Sequence, residues 1–413
     1  MISDSYNSRE SWQIEHQCPQ CGAPVLLDET DHLLACSYCR TKLYLLSQGP
    51  FRYRLPPPLE TAKEILYVPY RRYRGLSYQV RGRNIDYRVA DLNLLTAPVK
   101  GLPFSLGLRP QVLKLKFVSP ETEGRFAKVD SALRDLVETA LQFGPSGSLQ
   151  FMIGDVESLI YAPFYREDGR LFDAILKRPV IPWDEGSLED LLEQDRPLDW
   201  QVRFVSTLCP HCGWDLQGEK DALVLLCRNC QTAWICKNSS LEKIDFSVMT
   251  GGEGPLVHLP FWRMRADIEG VRLQSYADLI RLANLPKIAT PSHEAVPLYF
   301  WSPAFKLNPA LFMRWTRQMT AYQPGGQAKE TFEGASVHPV TMPLADAVGS
   351  IPLAIANLMM DKRKMMKLLP DLRMTLTDAL LVYQPFLVRR NELIHEKMGL
   401  VIHRKALAFG AEL

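Results

Sequence analysis

Eight of the nine cysteines fall into two sets with one spacing. Cys18-Pro19-Gln20-Cys21-Gly22 with Cys36-Ser37-Tyr38-Cys39 makes the first set. Cys209-Pro210-His211-Cys212-Gly213 with Cys227-Arg228-Asn229-Cys230 makes the second, every cysteine displaced by 191 residues. Thiolates paired on two tight turns can close a tetrahedral four-sulfur shell around one Zn²⁺. The spacer of 14 residues is slightly short for such a site, but the glycine after each CPxC turns the backbone so that amides face the sulfurs. A four-thiolate shell is full and electron-rich, hence a poor Lewis acid, whereas catalytic zinc keeps an open position. The spacing therefore predicts two structural Zn²⁺ per chain, each in a rubredoxin-like ribbon. Redox chemistry would need one CxxC at a helix start rather than two at ribbon spacing.

Other chemistry is sparse. The chain holds no GxxxxGK[ST], GxSxG, HExxH or dinucleotide-binding glycine pattern,. His293-Glu294 and His395-Glu396 lack a second histidine four residues after the first, and the eight histidines are scattered. Cys236 aligns with Leu45 in the first copy and reads as a small buried hydrophobe. The expectation is a protein that is not an enzyme, with an unrecognised site between the halves as the remaining enzymatic reading. Residues 51–88 combine nine basic residues, three acidic ones and seven aromatics. Such a face could track phosphates while Tyr73 or Tyr78 stacks on bases. The plainer reading is a half-exposed sheet with aromatics inward and arginines in solvent. Arg72 and Arg74 recur as Arg263 and Arg265 at the shift of the cysteines. Two related surface patches are expected, meeting an anionic partner and drawing on Tyr73 and Trp262 as well. Arginine's planar fork suits carboxylate or phosphate.

The elements that hold these residues are duplicated too. Leu66 to Arg74 lies over Val257 to Arg265 at a shift of 191, Leu108-Arg109-Pro110 meets Leu307-Asn308-Pro309 at 199, and Tyr161-Ala162-Pro163-Phe164 meets Tyr383-Gln384-Pro385-Phe386 at 222. Ordered matches over this length imply two tandem copies of a ribbon plus a mixed domain. Pro69 should then superpose on Pro260, and Pro163 on Pro385. Short β runs such as Ile65 to Val68 and Leu159 to Tyr161 are expected to stop at their prolines. Asp168-Gly169 should make a tight hairpin turn, matched by Arg390-Asn391. Phe126 to Leu141 has helical periodicity, and Ala345 to Leu369 reads as a second helix broken near Asp361.

The expected class is α+β. The expected division is a ribbon at 1–50, a β-rich mixed domain at 51–183, an acidic linker at 184–200 with a short helix capped by Ser187, a second ribbon at 201–245 and a second β-rich domain at 246–413. Gln323 to Pro343 reads as an exposed insertion of the second copy. With 413 residues and 46% hydrophobic content the chain can bury more than one core,. A net charge of +2 leaves no global field calling for nucleic acid or membrane,. Met1 to Trp12 has no apolar core of a leader, no apolar run approaches membrane-spanning length, and the CxxC usage suits a reducing cytoplasm.

The order CPxCG, CxYC and then Tyr67-Val68-Pro69-Tyr70 resembles a family of bacterial zinc-ribbon proteins often labelled primosomal-protein-like. Leu259-Pro260-Phe261-Trp262 is similar to that family's Val-Pro-Phe-Trp strand, and Phe300-Trp301-Ser302-Pro303-Ala304-Phe305 to its later Phe-Ser-Pro-Ala-Tyr segment. The resemblance implies metal binding and a scaffold role. The combined expectation is a cytoplasmic adaptor with a protein partner, its rival a nucleic-acid-binding accessory protein.

Overall fold

The structure, a computed structural model, describes residues 12–58, 64–81, 84–96, 101–107, 113–129, 149–182, 192, 201–237, 240–359 and 372–410. It corrects the expected class. The chain is mostly β, with 47% strand against 14% helix and a curled half-barrel, so α+β does not describe it. The runs taken to stop at prolines are pieces of strands far longer than typical. The pattern of 126–141 falls outside the described residues from 130 onward, as does the linker helix with Ser187.

The first ribbon is two hairpins, β1 (Gln13–Gln17) with β2 (Pro24–Asp28) and β3 (Leu33–Ala35) with β4 (Lys42–Leu46). Its sheet contains β5 (Phe51–Arg54), β6 (Ile65–Arg81), β7 (Asn84–Leu95), β8 (Lys116–Phe117), β9 (Arg125–Phe126), β10 (Leu149–Glu167), β11 (Arg170–Asp173) and β12 (Arg178–Pro182). Then come β13 (Arg203–Ser206), β14 (Val224–Cys227), β15 (Thr232–Lys237) and β16 (Ser240–Ile244). The second sheet holds β17 (Phe246–Met249), β18 (Leu256–Ile268), β19 (Phe300–Pro303), β20 (Ala328–Lys329), β21 (Met374–Arg389), β22 (Glu392–His395) and β23 (Leu400–His403). Helix α1 (Tyr276–Ala283), with the short α2 (Pro291–Glu294) beside it and no residue of α2 buried, packs on the second sheet together with α3 (Pro309–Tyr322), α4 (Leu344–Gly349) and α5 (Ile351–Leu358), and α6 (Arg404–Gly410) follows β23. The break in the 345–369 pattern lies at Ser350, whose Oγ donates to the Ala347 carbonyl, with Pro352 opening α5. Asp361 is outside the described residues.

The duplication is visible in strand register. β6 pairs antiparallel with β10, placing Pro69 opposite Tyr161 and Tyr67 opposite Pro163. β18 pairs in the same way with β21, placing Pro260 opposite Tyr383 and His258 opposite Pro385. Both pairs carry a bulge at the equivalent place, Asp155 in one and Thr377 in the other being the unpaired residue,. The left-handed turn residues also correspond, Asp168 with Arg390 and Lys177 with Gly399.

All four prolines sit where a long strand exchanges one edge partner for the next. β10 pairs with β5 up to Tyr161 and with β11 from Phe164, so Pro163 falls in the gap. Pro385 falls between the β17 and β22 pairings. Pro69 and Pro260 lie between β9 and β7, and between the Val337 bridge and β19. A residue without an N–H costs nothing where no ladder bond is due.

The copies are not separate bodies. β13, at the entry to the second ribbon, pairs antiparallel with β4 of the first, while the equivalent edge of β15 is filled by β16 from its own copy. The β6–β7 hairpin reaches across to the second sheet, burying Leu76, Tyr78 and Val80 among its residues. The 323–343 segment, expected as an exposed insertion, is anchored. Phe332 stacks on Phe246, and Arg228 Nη1 donates to the Phe332 and Ala335 carbonyls at 3.1 Å.

Candidate metal centres

Each set of four cysteines converges. Cys18, Cys21, Cys36 and Cys39 place their sulfurs within 4.8 Å of one another, as do Cys209, Cys212, Cys227 and Cys230. The closest Sγ–Sγ distances are 3.7 Å for Cys18–Cys39 and Cys21–Cys36, 3.6 Å for Cys209–Cys230 and 3.4 Å for Cys212–Cys227. A tetrahedron with Zn–S bonds of ~2.3 Å has edges of about 3.8 Å, so the sulfurs already span such a shell. They are too far apart for disulfides, whose S–S length is ~2.05 Å.

The backbone explains why the sulfurs point inward. In the first knuckles Gly22 N–H donates to the Cys18 carbonyl at 2.8 Å and Gly213 N–H to the Cys209 carbonyl at 2.9 Å, each glycine at positive φ. In the second knuckle of the first ribbon Arg40 N–H donates to the Cys36 carbonyl, and Arg40 and Gln231 take the same left-handed turn in the two copies. Two threonines at the cysteine shift complete the surroundings. Thr41 Oγ1 lies 3.3 Å from Cys39 Sγ, and Thr232 Oγ1 lies 3.1 Å from Cys230 Sγ and accepts from Trp234 Nε1 at 2.8 Å. Hydrogen bonding to Thr41 holds the Cys39 thiol down at about 6, and the Asn229 side chain does the same for Cys212, whereas burial pushes Cys227 of the second shell up to about 12 and Cys230 is raised despite its bond to Thr232. Donors aimed at sulfur stabilise the thiolate a metal requires. The sequence carried a signal for the threonines, the recurrence of Cys-x-Thr at Cys39 and Cys230, but no metal-ligand pattern includes it.

The two centres differ in setting. Buried Cys18 and Cys36 pack with Trp12, Ile14 and Leu34 against the first sheet. Buried Cys209 and Cys227 instead pack against Leu33, Tyr44 and Leu46 of the other ribbon. The ribbons are joined by further bonds there: His32 and Leu33 N–H both donate to the Lys220 carbonyl, and Tyr44 Oη to that of Ala222. The second centre thus lies at the junction of the ribbons.

The arginine patches are not both on the surface, which corrects that expectation. Arg72 is 1% exposed and clamps Glu29 of the first ribbon with two bonds, Nη2 to Oε1 at 2.8 Å and Nε to Oε2 at 3.0 Å. It also donates to Asp91 and stacks 3.8 Å over Trp12, while buried Arg74 adds Nη1 at 3.2 Å from Glu29 Oε1. These groups dock the ribbon on the sheet. Arg263 and Arg265 are half-buried, Arg263 lying 4.4 Å over Tyr299 and Arg265 donating to Gln274. The second copy lacks the clamp's partners, Glu29 becoming Lys220 and Trp12 becoming Arg203 at the shift of 191. Tyr73, Tyr78 and Trp262 are buried, with Trp262 Nε1 donating to the Met342 carbonyl and Tyr78 Oη to that of Pro309. None of the three can stack on a partner. Cys236 is half-buried at the ribbon junction.

Among the described residues no helix is long and apolar enough to cross a membrane. No protein-family model, curated protein or solved structure matches this chain. The paired clusters fit tandem ribbon-like metal sites, and the likeness to the primosomal-labelled family has no support beyond them.

Proposed function

We propose that the protein is a non-catalytic scaffold of a bacterial cytoplasm, stiffened by two structural Zn²⁺ ions and binding a protein partner. The observation that carries this reading is the completeness of both shells. Four cysteines surround each site, two of them buried in a core, leaving no position for substrate,. The ions sit where they fix the ribbons against the first sheet and against each other, a structural task. The buried clamp on Glu29 withdraws Arg72 and Arg74, two of the nine basic residues of 51–88, from the face on which nucleic-acid binding would rest.

Protein made with zinc present should contain two Zn²⁺ per chain by metal analysis. One ion or none, or an iron spectrum in freshly isolated protein, contradicts the zinc assignment. The scaffold reading expects a stoichiometric protein to co-elute with the metal-loaded chain from native cells and to be lost after chelation. Co-elution of nucleic acid instead, at physiological salt, would overturn it.

A further inference from the structure

The long strand β21 leaves a gap in its outer edge. β17 pairs with it as far as Tyr383, and β22 begins at Leu387. Over Gln384 and Pro385 opens a small cleft of about 60 Å³, walled by Gly251, Gly252, Tyr322 and Gly325, with Glu396 and Lys397 on its lining. Two polar side chains in this lining are almost fully buried, Gln384 at 2% and His395 at 5% exposed. They face each other, His395 Nε2 lying 3.4 Å from Gln384 Oε1. Gln384 Nε2 and His395 Nδ1 are buried and have no hydrogen-bond partner.

A buried polar atom without a partner costs stability, so an orphan pair beside a cleft is a group that something else satisfies. The duplication supplies an internal control. The equivalent positions in the first copy are Ala162 and Asp173, and Asp173 Oδ1 there accepts from the Ile175 and Leu176 amides at 3.0 Å. The fold therefore does not need a glutamine–histidine pair at this place.

The pair also says what it would take. If Gln384 accepts from His395 Nε2–H, its amide nitrogen is a spare donor and His395 Nδ1 a spare acceptor. If the amide is turned over, it donates to Nε2, leaving its oxygen as spare acceptor and Nδ1–H as spare donor. Either assignment leaves one donor and one acceptor. A carboxylate offers only acceptors and an ammonium only donors, whereas a neutral amide offers both. The small volume admits a group at the tip of a chain, not a main-chain amide flanked on both sides. We infer that this cleft is a binding site for a primary carboxamide, as presented by an asparagine or glutamine side chain. The inference does not depend on the metal or scaffold readings.

The test uses the full metal-loaded chain and acetamide as the probe, read by imidazole ¹⁵N resonances. Acetamide should move the signals of one histidine of the eight, assigned by its loss in His395→Asn. Acetate and ethanol at equal concentration should leave them in place. Gln384→Leu should weaken the response at least about tenfold, the other histidine signals showing that the variant is folded. If Gln384→Leu fails to fold, Gln384→Met, closer in shape, takes its place. The inference is overturned if acetamide moves no histidine, if acetate or ethanol acts equally, or if the folded variant responds as the parent does. It is also overturned if a structure determined in acetamide holds water only at Gln384.

Discussion

Arg72 and Arg263 are the same residue of the repeat put to different uses, and they should differ accordingly when removed. Deleting one partner of a buried ion pair leaves an uncompensated charge, worth roughly 3–5 kcal/mol. Glu29→Ala, which strands Arg72 and Arg74 at once, should therefore destabilise the metal-loaded protein by about that much in urea. Arg263→Ala, removing a half-buried cation over Tyr299 and a long, partly exposed ion pair with Asp378, should cost under about 1 kcal/mol. Equal losses would show that the Glu29 clamp does not anchor the ribbon. A second residue leaves a signature in pH. Burial lowers the pKa of His395 from 6.5 to about 4, so between those values the unfolded chain binds a proton the folded one refuses. Its contribution is complete above pH 6.5 and is lost as pH falls toward 4, at about 1.4 kcal/mol per pH unit. From pH 6.5 to 5.5 the parent should lose about 1 kcal/mol more stability than His395→Asn, the unfolded histidine being half protonated at the start of that interval and metal loss being common to both,. The cysteine ligands were legible because metal binding imposes residue type and spacing on a short stretch. The arginine clamp was not, since Glu29 lies 43 residues from Arg72 and a long-range ion pair leaves no local period.

At the scale of elements, the prolines mark exchanges of edge partner and not the ends of strands. A strand of 17 or 19 residues must change edge partners along its length, and proline occupies the places where its missing N–H is not required. The sequence displayed the repeat, the turns at Asp168 and Arg390 and the equivalence of the prolines. It could not display length, because edge partners such as β5 and β11 meet β10 only in the fold. Nor could it show that β13 leaves its own ribbon, since strand composition does not name the neighbour. That pairing is open to test. Val205 lies opposite Tyr44, and Val205→Pro should break the ladder between the ribbons. The amides of Tyr44 and Leu46, which alternate with the Leu45 N–H that donates to the His32 carbonyl and so face β13, should then exchange much faster with solvent, with those of β22 unchanged. Unaltered exchange in β4 would mean that the strand does not hold the ribbons together.

For the whole molecule, the shared core around Leu33, Tyr44, Cys209 and Cys227 makes the two metal centres neighbours in energy as well as in space. The first centre has two exposed ligands, Cys21 and Cys39, the second only Cys212 fully exposed. A chelator should accordingly take the first ion before the second. Cys227→Ser, which opens the second shell inside the junction, should also speed release from the first centre, several-fold or more, because an unfolded second ribbon withdraws the strand and carbonyls that brace it. Release from the first centre at the parent rate would show the centres to be independent. The strand exchange has a consequence for growth by duplication. The first ribbon lends its edge to the following copy, whereas β16 has filled the matching edge of the second, so a further copy added behind would find its berth taken. Removing β16 would leave the edge of β15 unpaired, an open row of backbone donors and acceptors through which one molecule could add to another.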